Sequence, residues 1–300
     1  MLCKECGLGF PSDRSLHAHL KVHGIFVAEY YCKHFPRHDL LTGDAIQFKE
    51  KNEYFSSFFS NRENMIEWLS ITSTKEAQDV VLKMLSRRIK EKKLTVAPNE
   101  VELFFANLPP ISEYKKLFGS YTKACELAEC KPALTGKLSS EWNNDFSKKK
   151  IYYDSREQKP LQFANSECLK LDTGDYSTMG DDFSNTFVDR KSFDDWCGTL
   201  VGSNLERFRR EIIRCKTQNC FLWVVIECPL TETFNLSKSS YHKPNISYVA
   251  HNMRALSSEF PRHLRFLFSG SRENSQLIIP KILCLGNKLE NVDLQYFLGK

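Results

Sequence analysis

The chain has 300 residues, of which 41% are hydrophobic and 26% charged, and its formal net charge at pH 7 is +5. This composition is that of a folded protein and excludes wholesale disorder, while the length allows two compact domains. The longest apolar run, Phe221–Ile226, is far shorter than the roughly 20 residues that cross a bilayer, so we expect no membrane span.

The cysteines and the N-terminal sequence indicate the compartment. Of the 11 cysteines, several stand in apolar segments, where Cys packs as a small hydrophobic residue: Cys197, Cys215, Cys220 and Cys284. No apolar stretch of signal-peptide type opens the chain. We therefore predict a protein that is not secreted and is intracellular, either cytoplasmic (in a bacterial host if a phage encodes it) or nuclear.

Four residues near the N-terminus have the spacing of a zinc site. Two residues separate Cys3 from Cys6, twelve follow, and three separate His19 from His23. Cysteines at this spacing lie on a hairpin, and histidines four positions apart lie on one face of a helix, so the four ligands can surround Zn²⁺ tetrahedrally. The pattern therefore predicts a structural zinc site.

This segment resembles the two-Cys, two-His zinc-finger family, with Phe10 and Leu16 at the apolar core positions. The resemblance implies a ββα finger over residues 1–24, whose helix begins near Ser12. Such a helix enters the major groove of DNA, here through residues such as Asp13, Ser15 and His17. Some fingers bind proteins instead of DNA, and that alternative stays open.

Residues 25–107 are predicted to form a mixed, partly helical connecting region. A turn is indicated at Gly43 and Asp44, and aromatic anchors follow at Tyr54, Phe55, Phe58 and Phe59. Residues 74–93 repeat apolar side chains at helical spacing and end in a basic cluster of Arg87, Arg88, Lys90, Lys92 and Lys93. Cations at a helix C-terminus favour the helix dipole, so the cluster fits a solvated helix end as well as a phosphate contact.

The stretch LPPISEYKKLFGSYTKACEL, residues 108–127, resembles the small repeat often attached to homing endonucleases. A turn at residues 118–120 and a short helix with Tyr121, Ala124 and Leu127 inward predict a helix-turn-helix-like unit over residues 108–134. The resemblance implies DNA contact, and a helical spacer is the alternative. Residues 135–149 are polar and are predicted to be a linker.

Three predicted strands in the C-terminal half each lead to charged residues. A strand over 151–153 is followed by Asp154, Arg156 and Glu157, a strand over 168–171 by Gly174 and Asp175, and a strand over 186–188 by Asp189, Arg190 and Lys191. Alternation along a strand places the Asp189 and Lys191 side chains on one face. We therefore expect carboxylates and a lysine to converge where these strands end.

Converging carboxylates beside a lysine suit phosphodiester hydrolysis. Carboxylate oxygens are preferred ligands of Mg²⁺, which lowers the pKa of a bound water and neutralises charge on the transition state. Lys191 would orient that water or help to deprotonate it. The alternative is a set of surface salt bridges without a metal.

The order of these motifs resembles that of the XPF-type nucleases, a branch of the PD-(D/E)XK superfamily. The matching elements are Asp-x-Arg-Glu at 154–157, Gly-Asp at 174–175, Asp-Arg-Lys at 189–191 and Asp195. The resemblance implies that Asp154, Asp175 and Asp189 bind Mg²⁺ or Mn²⁺, that Lys191 assists the base, and that Glu157 and Asp195 are supporting acids. We also expect DNA contacts from Arg156, Arg190, Arg207 and Arg210.

The same resemblance implies an α/β fold over residues 150–300, with a central mixed sheet of the restriction-endonuclease type flanked by helices. Further elements are predicted as a strand at 221–227, a helix near 246–256, a strand at 264–268 and a helix at 274–283. The family usually has Glu where Asp189 stands. Too few residues follow 283 for the tandem helix-hairpin-helix domain of many relatives, so specificity for branched DNA does not follow from the resemblance.

Together these features predict a metal-dependent DNA endonuclease. The leading hypothesis is a site-selective enzyme, similar to homing endonucleases, whose finger and repeat-like unit position the nuclease on duplex DNA. The alternatives are a structure-selective nuclease for flaps or branched DNA and a non-catalytic DNA-binding protein. Asp154, Asp175, Asp189 and Lys191 are all present, which argues against the last. The family often pairs through its nuclease domain, so a homodimer is also consistent with the resemblance.

Overall fold

The computed structural model describes residues 1–178, 185–240 and 243–299. This part of the chain forms two compact units. The first contains residues 1–97 and 106–131, and the second contains residues 98–105 and those from 132 onward. The five segments named above are not separated in this way, and their individual boundaries stay predictions.

Helices and strands occur in both units. The α-helices are α1 (Asp13–His19), α2 (Val27–His34), α3 (Lys51–Ser56), α4 (Arg62–Ile71), α5 (Thr74–Lys92), α6 (Glu100–Phe105), α7 (Ile111–Phe118), α8 (Tyr121–Leu127), α9 (Phe193–Thr199), α10 (Gly202–Thr217), α11 (Thr233–Ser239), α12 (Ile246–Glu259), α13 (Arg272–Leu285) and α14 (Leu294–Leu298). The strands are β1 (Val96–Ala97), β2 (Lys131–Pro132), β3 (Ile151–Asp154), β4 (Ser166–Leu169), β5 (Tyr176–Ser177), β6 (Thr186–Lys191), β7 (Phe221–Ile226) and β8 (Leu264–Phe268). Among the described helices, none has the length and apolar character needed to cross a membrane.

Helix α5 confirms the helix predicted over residues 74–93. It starts after Ser73, whose side chain accepts a hydrogen bond from the Glu76 N–H, and it ends at Lys93, which has a left-handed φ of 49°. Its buried side chains are Ala77, Val81, Met84, Leu85 and Ile89. These residues recur at helical spacing, so the apolar face read from the sequence is the face that packs.

Helices α7 and α8 form the helix-turn-helix-like pair predicted from the repeat-like stretch. Gly119 makes the turn with a φ of 82°, and the Ser120 side chain caps α8 by accepting a backbone hydrogen bond. Ala124 is buried as predicted, but Leu127 is 52% exposed and Cys125 is buried instead. The i, i+3, i+4 spacing of a helix face, counted from position 121, favours position 125 over position 127.

The second unit is built on a six-stranded sheet in the order β4-β3-β5-β6-β7-β8. Strand β5 runs antiparallel to both β3 and β6, whereas β3 pairs in parallel with β4, and β7 pairs in parallel with β6 and β8. Helices cover both faces of this sheet. This confirms the predicted central mixed sheet flanked by helices.

Strand β7 separates two hydrophobic cores, and all of its residues are buried. Leu222, Val224 and Ile226 belong to a core with α9, α10 and α12. Phe221, Trp223 and Val225 belong to a core with α13 and α14. Successive side chains of a strand point to opposite faces, so a strand covered by helices on both sides requires an uninterrupted apolar run.

Residues 135–149, predicted as a linker, pack within the second unit. Trp142 belongs to the same core as α13, and Lys281 of that helix donates a hydrogen bond to the Trp142 carbonyl at 3.0 Å. The Gly136 N–H donates to the Asn291 carbonyl at 2.7 Å. A buried tryptophan and satisfied backbone groups make this segment an ordered part of the fold.

The strand predicted at 168–171 is displaced in the structure. Strand β4 covers Ser166–Leu169 at one edge of the sheet, and Asp175 instead directly precedes β5. Because β5 is antiparallel to β3 and β6, its beginning lies beside their ends. Asp175 therefore meets the other two acids at the start of a strand. The sequence had indicated that it would follow the end of one.

Gly174 allows the chain to enter β5 close against β6. Its φ is +64°, and a Cβ at this position would lie 2.9 Å from the Val188 carbonyl oxygen. Glycine adopts this left-handed backbone without steric cost and has no Cβ to clash, so it meets both requirements.

We predict that Gly174→Ala lowers the free energy of unfolding by about 2 kcal/mol or more, because it adds left-handed strain and a backbone clash. Gly198→Ala is the matched control, since Gly198 lies within α9 and a Cβ there would have no atom within 4 Å. The control should be neutral or stabilising by up to about 1 kcal/mol. Urea unfolding monitored by tryptophan fluorescence measures both, and equal stabilities would contradict the tight contact of Gly174 with β6.

Candidate active site and metal centre

The sheet of the second unit brings the three predicted acids together. The Asp154 N–H donates to the Asp175 carbonyl at 2.8 Å, and the Asp175 N–H donates to the Val188 carbonyl at 2.7 Å, one residue before Asp189. All three acids line one cavity of about 560 Å³. Its lining also includes the predicted residues Arg156, Glu157, Arg190, Lys191 and Asp195.

Two of the predicted residues lie elsewhere. Arg207 and Arg210 are exposed on α10 and are not among the described residues that line the cavity. Asp195 lines the cavity from α9, where its carboxylate accepts a hydrogen bond from the Ser192 hydroxyl at 2.6 Å. Because Ser192 caps α9, this contact fixes the start of the helix that follows β6.

Asp154 is already saturated by contacts within the protein. It is 1% exposed, and its two oxygens accept hydrogen bonds from Nε and Nη2 of Arg156 at 2.7 and 3.0 Å and from the Leu171 N–H at 2.7 Å. Burial opposes its ionisation, but the hydrogen bonds from Arg156 and Leu171 outweigh burial and lower the pKa of Asp154. This carboxylate holds the loop after β3 in place, and a metal would have to displace these donors to use it.

The acids that lack such a partner surround Lys191. The Lys191 ammonium lies 2.9 Å from the Asp189 carboxylate. The Asp175 carboxylate accepts the Arg190 N–H at 2.7 Å, and Glu211 of α10 accepts the Gly174 N–H at 3.4 Å. Lys191 therefore neutralises one of three neighbouring carboxylates.

Burial and mutual repulsion alter the proton affinities of this group. Burial and the Asp189 charge raise the pKa of Asp175 to about 8, although the Arg190 N–H and Lys191 act in the opposite direction. Burial and Asp189 also raise the pKa of Glu211. Burial disfavours the Lys191 ammonium, but its attraction to Asp189 prevails and raises the pKa of Lys191. The cavity thus concentrates negative charge that one lysine leaves uncompensated.

A divalent cation fits this donor set. Carboxylate oxygens are hard ligands suited to Mg²⁺ or Mn²⁺, and a cation would relieve the repulsion that raises the pKa of Asp175. Within the described residues, these carboxylates do not form a group whose oxygens all lie within 4.8 Å of one another. Such a compact cage is not required, because Mg²⁺ usually keeps several waters and binds through one or two carboxylates.

Arg190 lies inside the protein beside the cavity. Its side chain is 10% exposed, and the guanidinium pairs with Glu227 at 2.7 Å and with Glu157 at 3.2 Å. It also donates to the Lys159 carbonyl at 3.1 Å. These contacts tie the loop after β3 to β6 and to the end of β7, so the structure gives Arg190 a positioning role for Glu157.

Glu211 is the acid of the described cavity lining that the sequence did not reveal. It stands between arginines on an amphipathic helix, where a glutamate is ordinarily part of the solvated face. Its relation to the site depends on a contact with Gly174, 37 positions earlier in the chain. A local signal does exist, because Glu211 lies three positions after Phe208 and four before Cys215, which are both buried and therefore on the same helix face.

The four predicted zinc ligands form a second candidate metal centre, in the first unit. Their ligand atoms all lie within 4.8 Å of one another. Nε2 of His19 lies 3.3 Å from Sγ of Cys6, and Nε2 of His23 lies 3.7 Å from Sγ of Cys3. Two thiols and two imidazoles are a donor set typical of structural Zn²⁺, so the residues fit this ion.

Residues 1–24, predicted to form the finger, share their core with the residues that follow them. Cys3, Leu16 and Leu20 pack in one buried cluster with Tyr30 and Tyr54, which lie beyond the predicted finger. The ββα pattern is present in reduced form, with an antiparallel bridge between residues 2 and 9 followed by α1. The Cys and His group therefore adjoins a core that extends over residues 3–54.

The face of α1 that would enter a groove is partly used within the protein. Ser15 closes a capping box with Ser12 at the helix start. His17 is half-buried, and its Nε2 lies 3.0 Å from the Tyr31 hydroxyl. Of the three residues predicted to contact bases, Asp13 is exposed. A groove contact through Ser15 or His17 would have to break these interactions first.

Comparisons with known proteins give a limited match. No protein-family model matches the sequence, and no curated protein matches it. Among solved structures, XPF from Aeropyrum pernix is similar, with 19% identity and a TM-score of 0.35 over 46% of this chain and 66% of that chain. The structure titled XPF from Aeropyrum pernix, complex with DNA, gives 16% identity and a TM-score of 0.36 over 47% of this chain and 66% of that chain. This chain thus spans less than two thirds of those chains.

We predict that removing zinc loosens residues 3–54, because the predicted ligand Cys3 is part of their shared core. In hydrogen-exchange mass spectrometry, Cys6→Ser or a strong zinc chelator should abolish amide protection in α1 and α2. Strand β7, in the other unit, is the internal control and should stay protected. Retained protection of α1 after zinc loss would contradict a metal-dependent core.

We predict that the metal-free protein loses stability as the pH rises from about 4 towards 8, because the folded state binds the Asp175 proton more tightly than the unfolded state does. Buried Asp293, whose pKa is raised to about 6, contributes in the lower part of that range. Asp175→Asn should therefore stabilise the metal-free protein at pH 8 and much less at pH 5. Thermal unfolding at both values tests this, and equal effects would contradict it.

Proposed function

We propose that this chain is a metal-dependent DNA endonuclease that hydrolyses phosphodiester bonds in the cavity formed by β3, β5 and β6. The observation that carries the proposal is the cluster of Asp175, Asp189 and Glu211 around Lys191. Holding three carboxylates so close to one ammonium is costly without a ligand of opposite charge. A phosphodiesterase needs a divalent cation at the point of attack, and such a cation would offset the repulsion between these carboxylates.

The roles follow from the contacts. Asp175 and Asp189, with Glu211 beside them, would hold Mg²⁺ or Mn²⁺, which supplies an activated water and neutralises charge on the phosphate. Lys191 has a raised pKa and stays protonated at neutral pH, so it acts as a cation that orients Asp189 and balances developing negative charge. In the hydrolysis, the water oxygen bonds to phosphorus as the water gives up a proton to solvent, the ester P–O bond breaks, and the leaving oxygen takes up a proton from solvent.

Arg156 is the candidate phosphate contact at the mouth of the cavity. Its side chain is 67% exposed, and Asp154 holds it through Nε and Nη2. No protein partner of its Nη1 occurs among the described residues, so a donor remains for a phosphate oxygen. Asp154, Glu157 and Asp195 would then act by positioning, through Arg156, Arg190 and α9 respectively.

DNA is the proposed substrate because the chain combines this cavity with basic and metal-binding features suited to DNA. Arg207 and Arg210 are exposed on α10, the helix that also carries Glu211. The Cys3, Cys6, His19 and His23 group is the other feature, and as a zinc finger it would assist targeting. A site-selective enzyme guided by these N-terminal elements is our first proposal, and a structure-selective flap nuclease is the second.

We predict that the protein nicks or cuts DNA with Mg²⁺ or Mn²⁺ and that Asp189→Asn lowers the rate by at least about 100-fold, since it removes a metal-binding charge. Asp172→Asn is the matched control, because Asp172 is an exposed acid of the same loop as Asp175 and does not line the cavity. Plasmid cleavage measures both. DNA binding without cleavage by the native protein would instead support a non-catalytic DNA-binding protein.

The two substrate classes are separated with the same enzyme preparations. Cleavage of linear duplex at discrete positions, lost or spread by Cys6→Ser while total Asp189-dependent cutting persists, is expected for a site-selective enzyme. Preference for a flap over duplex of the same sequence, unchanged in Cys6→Ser, would replace it with the structure-selective alternative.

A further inference from the structure

Three cations surround one aromatic ring in the first unit. The guanidinium carbon of Arg37 lies 4.9 Å from the centre of the Phe58 ring, Nζ of Lys83 lies 5.5 Å away, and the guanidinium carbon of Arg87 lies 5.6 Å away. Phe58 is half-buried and Lys83 is exposed, so the cluster reaches the protein surface. We call these four residues the Phe58 cluster.

Secondary structure and packing hold the cluster in place. Lys83 and Arg87 are four positions apart on α5 and therefore lie on the same face of that helix. Arg37 follows α2, and its guanidinium donates to the Tyr54 carbonyl and also lies 5.6 Å from the centre of the Tyr54 ring. The cations are thus brought together by elements that are distant in sequence.

The cations of the cluster are not paired with carboxylates in the part of the chain that the structure describes: Arg37, Lys83 and Arg87 form no ion pair there. The Nη1 atom of Arg87 is buried and has no hydrogen-bond acceptor. Like charges four residues apart destabilise a helix, and a buried donor without an acceptor is unfavourable. The cation–π contacts with one aromatic ring offset only part of this cost.

Burial adds to the strain on Arg37. Burial and the neighbouring Arg87 charge together hold the pKa of the Arg37 guanidinium below its usual value. A purely structural cluster would be expected to include a carboxylate, as Asp154 pairs with Arg156 in the second unit. The Phe58 cluster instead resembles a preformed receptor for an anion.

We propose that the Phe58 cluster binds a phosphodiester group of a nucleic-acid strand, with Arg37, Lys83 and Arg87 on the phosphate and the Phe58 ring beside the adjoining sugar or base. Guanidinium groups recognise phosphate oxygens through paired N–H donors, and an aromatic ring among cations is typical of grooves that bind single strands. The site belongs to the first unit and is independent of the catalytic cavity. The sequence left two interpretations of the basic end of α5 open, a solvated terminus and a phosphate contact. The proposal assigns Lys83 and Arg87 to a phosphate site and the lysines beyond them to a solvated helix end.

The test is equilibrium binding of a fluorescein-labelled single-stranded oligonucleotide to the full chain with its zinc but without Mg²⁺. Lys83→Gln with Arg87→Gln should weaken binding about tenfold and reduce the slope of log affinity against log salt by roughly one to two. The matched control is Lys90→Gln with Lys92→Gln, which removes the same charge from exposed positions of the same helix. It should change affinity less than twofold.

Each other outcome overturns the proposal. Equal losses in the two double variants mean diffuse attraction and no defined site. Unchanged oligonucleotide affinity in both, with inorganic phosphate raising the melting temperature of the native protein but not of the Lys83 and Arg87 variant, means a free-phosphate site. If the double variant does not fold, the single substitution Lys83→Gln, at an exposed position, is compared with Lys90→Gln. A loss of oligonucleotide affinity no larger than that of Lys90→Gln would then reject the site.

Discussion

The second unit is organised around negative charge held at the junction of β3, β5 and β6. Some of these carboxylates have cations of their own: Asp154 has Arg156, and Glu157 shares Arg190 with Glu227. Asp175, Asp189 and Glu211 share Lys191. The fold therefore sorts the acids that line the cavity into a neutralised set, which fixes the loop after β3, and an under-neutralised set around Lys191. Only the second set gains from a bound cation.

The sequence predicts this division of the acids only in part. The apolar run of β7 and the helical spacing of α5 are local patterns, and both elements occur where they were predicted. The sequence also predicted that Asp175, Asp189 and Lys191 would meet, because charged residues follow the predicted strands, although Asp175 in the structure precedes β5 and does not follow a strand. The roles of individual acids were not, because a side chain's partner depends on tertiary contacts. Asp154 folds back on Arg156, and Glu211 arrives from a distant helix.

The first unit shows the same limit in another form. Ligand spacing alone sufficed to predict the Cys and His group, since four ligands at fixed separations leave little freedom. The sequence did not show that the predicted finger segment, residues 1–24, would share a core with the following residues, because Tyr30 and Tyr54 carry no spacing signal. The partner of His17 is Tyr31, in the helix after the finger, so its role as a groove contact could not be judged from α1 alone.

The double burial of β7 has a consequence for how the protein is made. The elements that pack around β7 are distributed along the chain: α9 and α10 precede it, whereas α12, β8 and α13 follow it. During synthesis, α9 and α10, which cover part of one face of β7, leave the ribosome before the strand. Helix α13, which covers the other face, leaves the ribosome after it. Until residues 264–285 emerge, the core around Phe221, Trp223 and Val225 is incomplete, because Trp142 and Val188 precede these residues but α13 does not. A nascent chain in that interval leaves part of an apolar strand uncovered, a surface that chaperones would recognise.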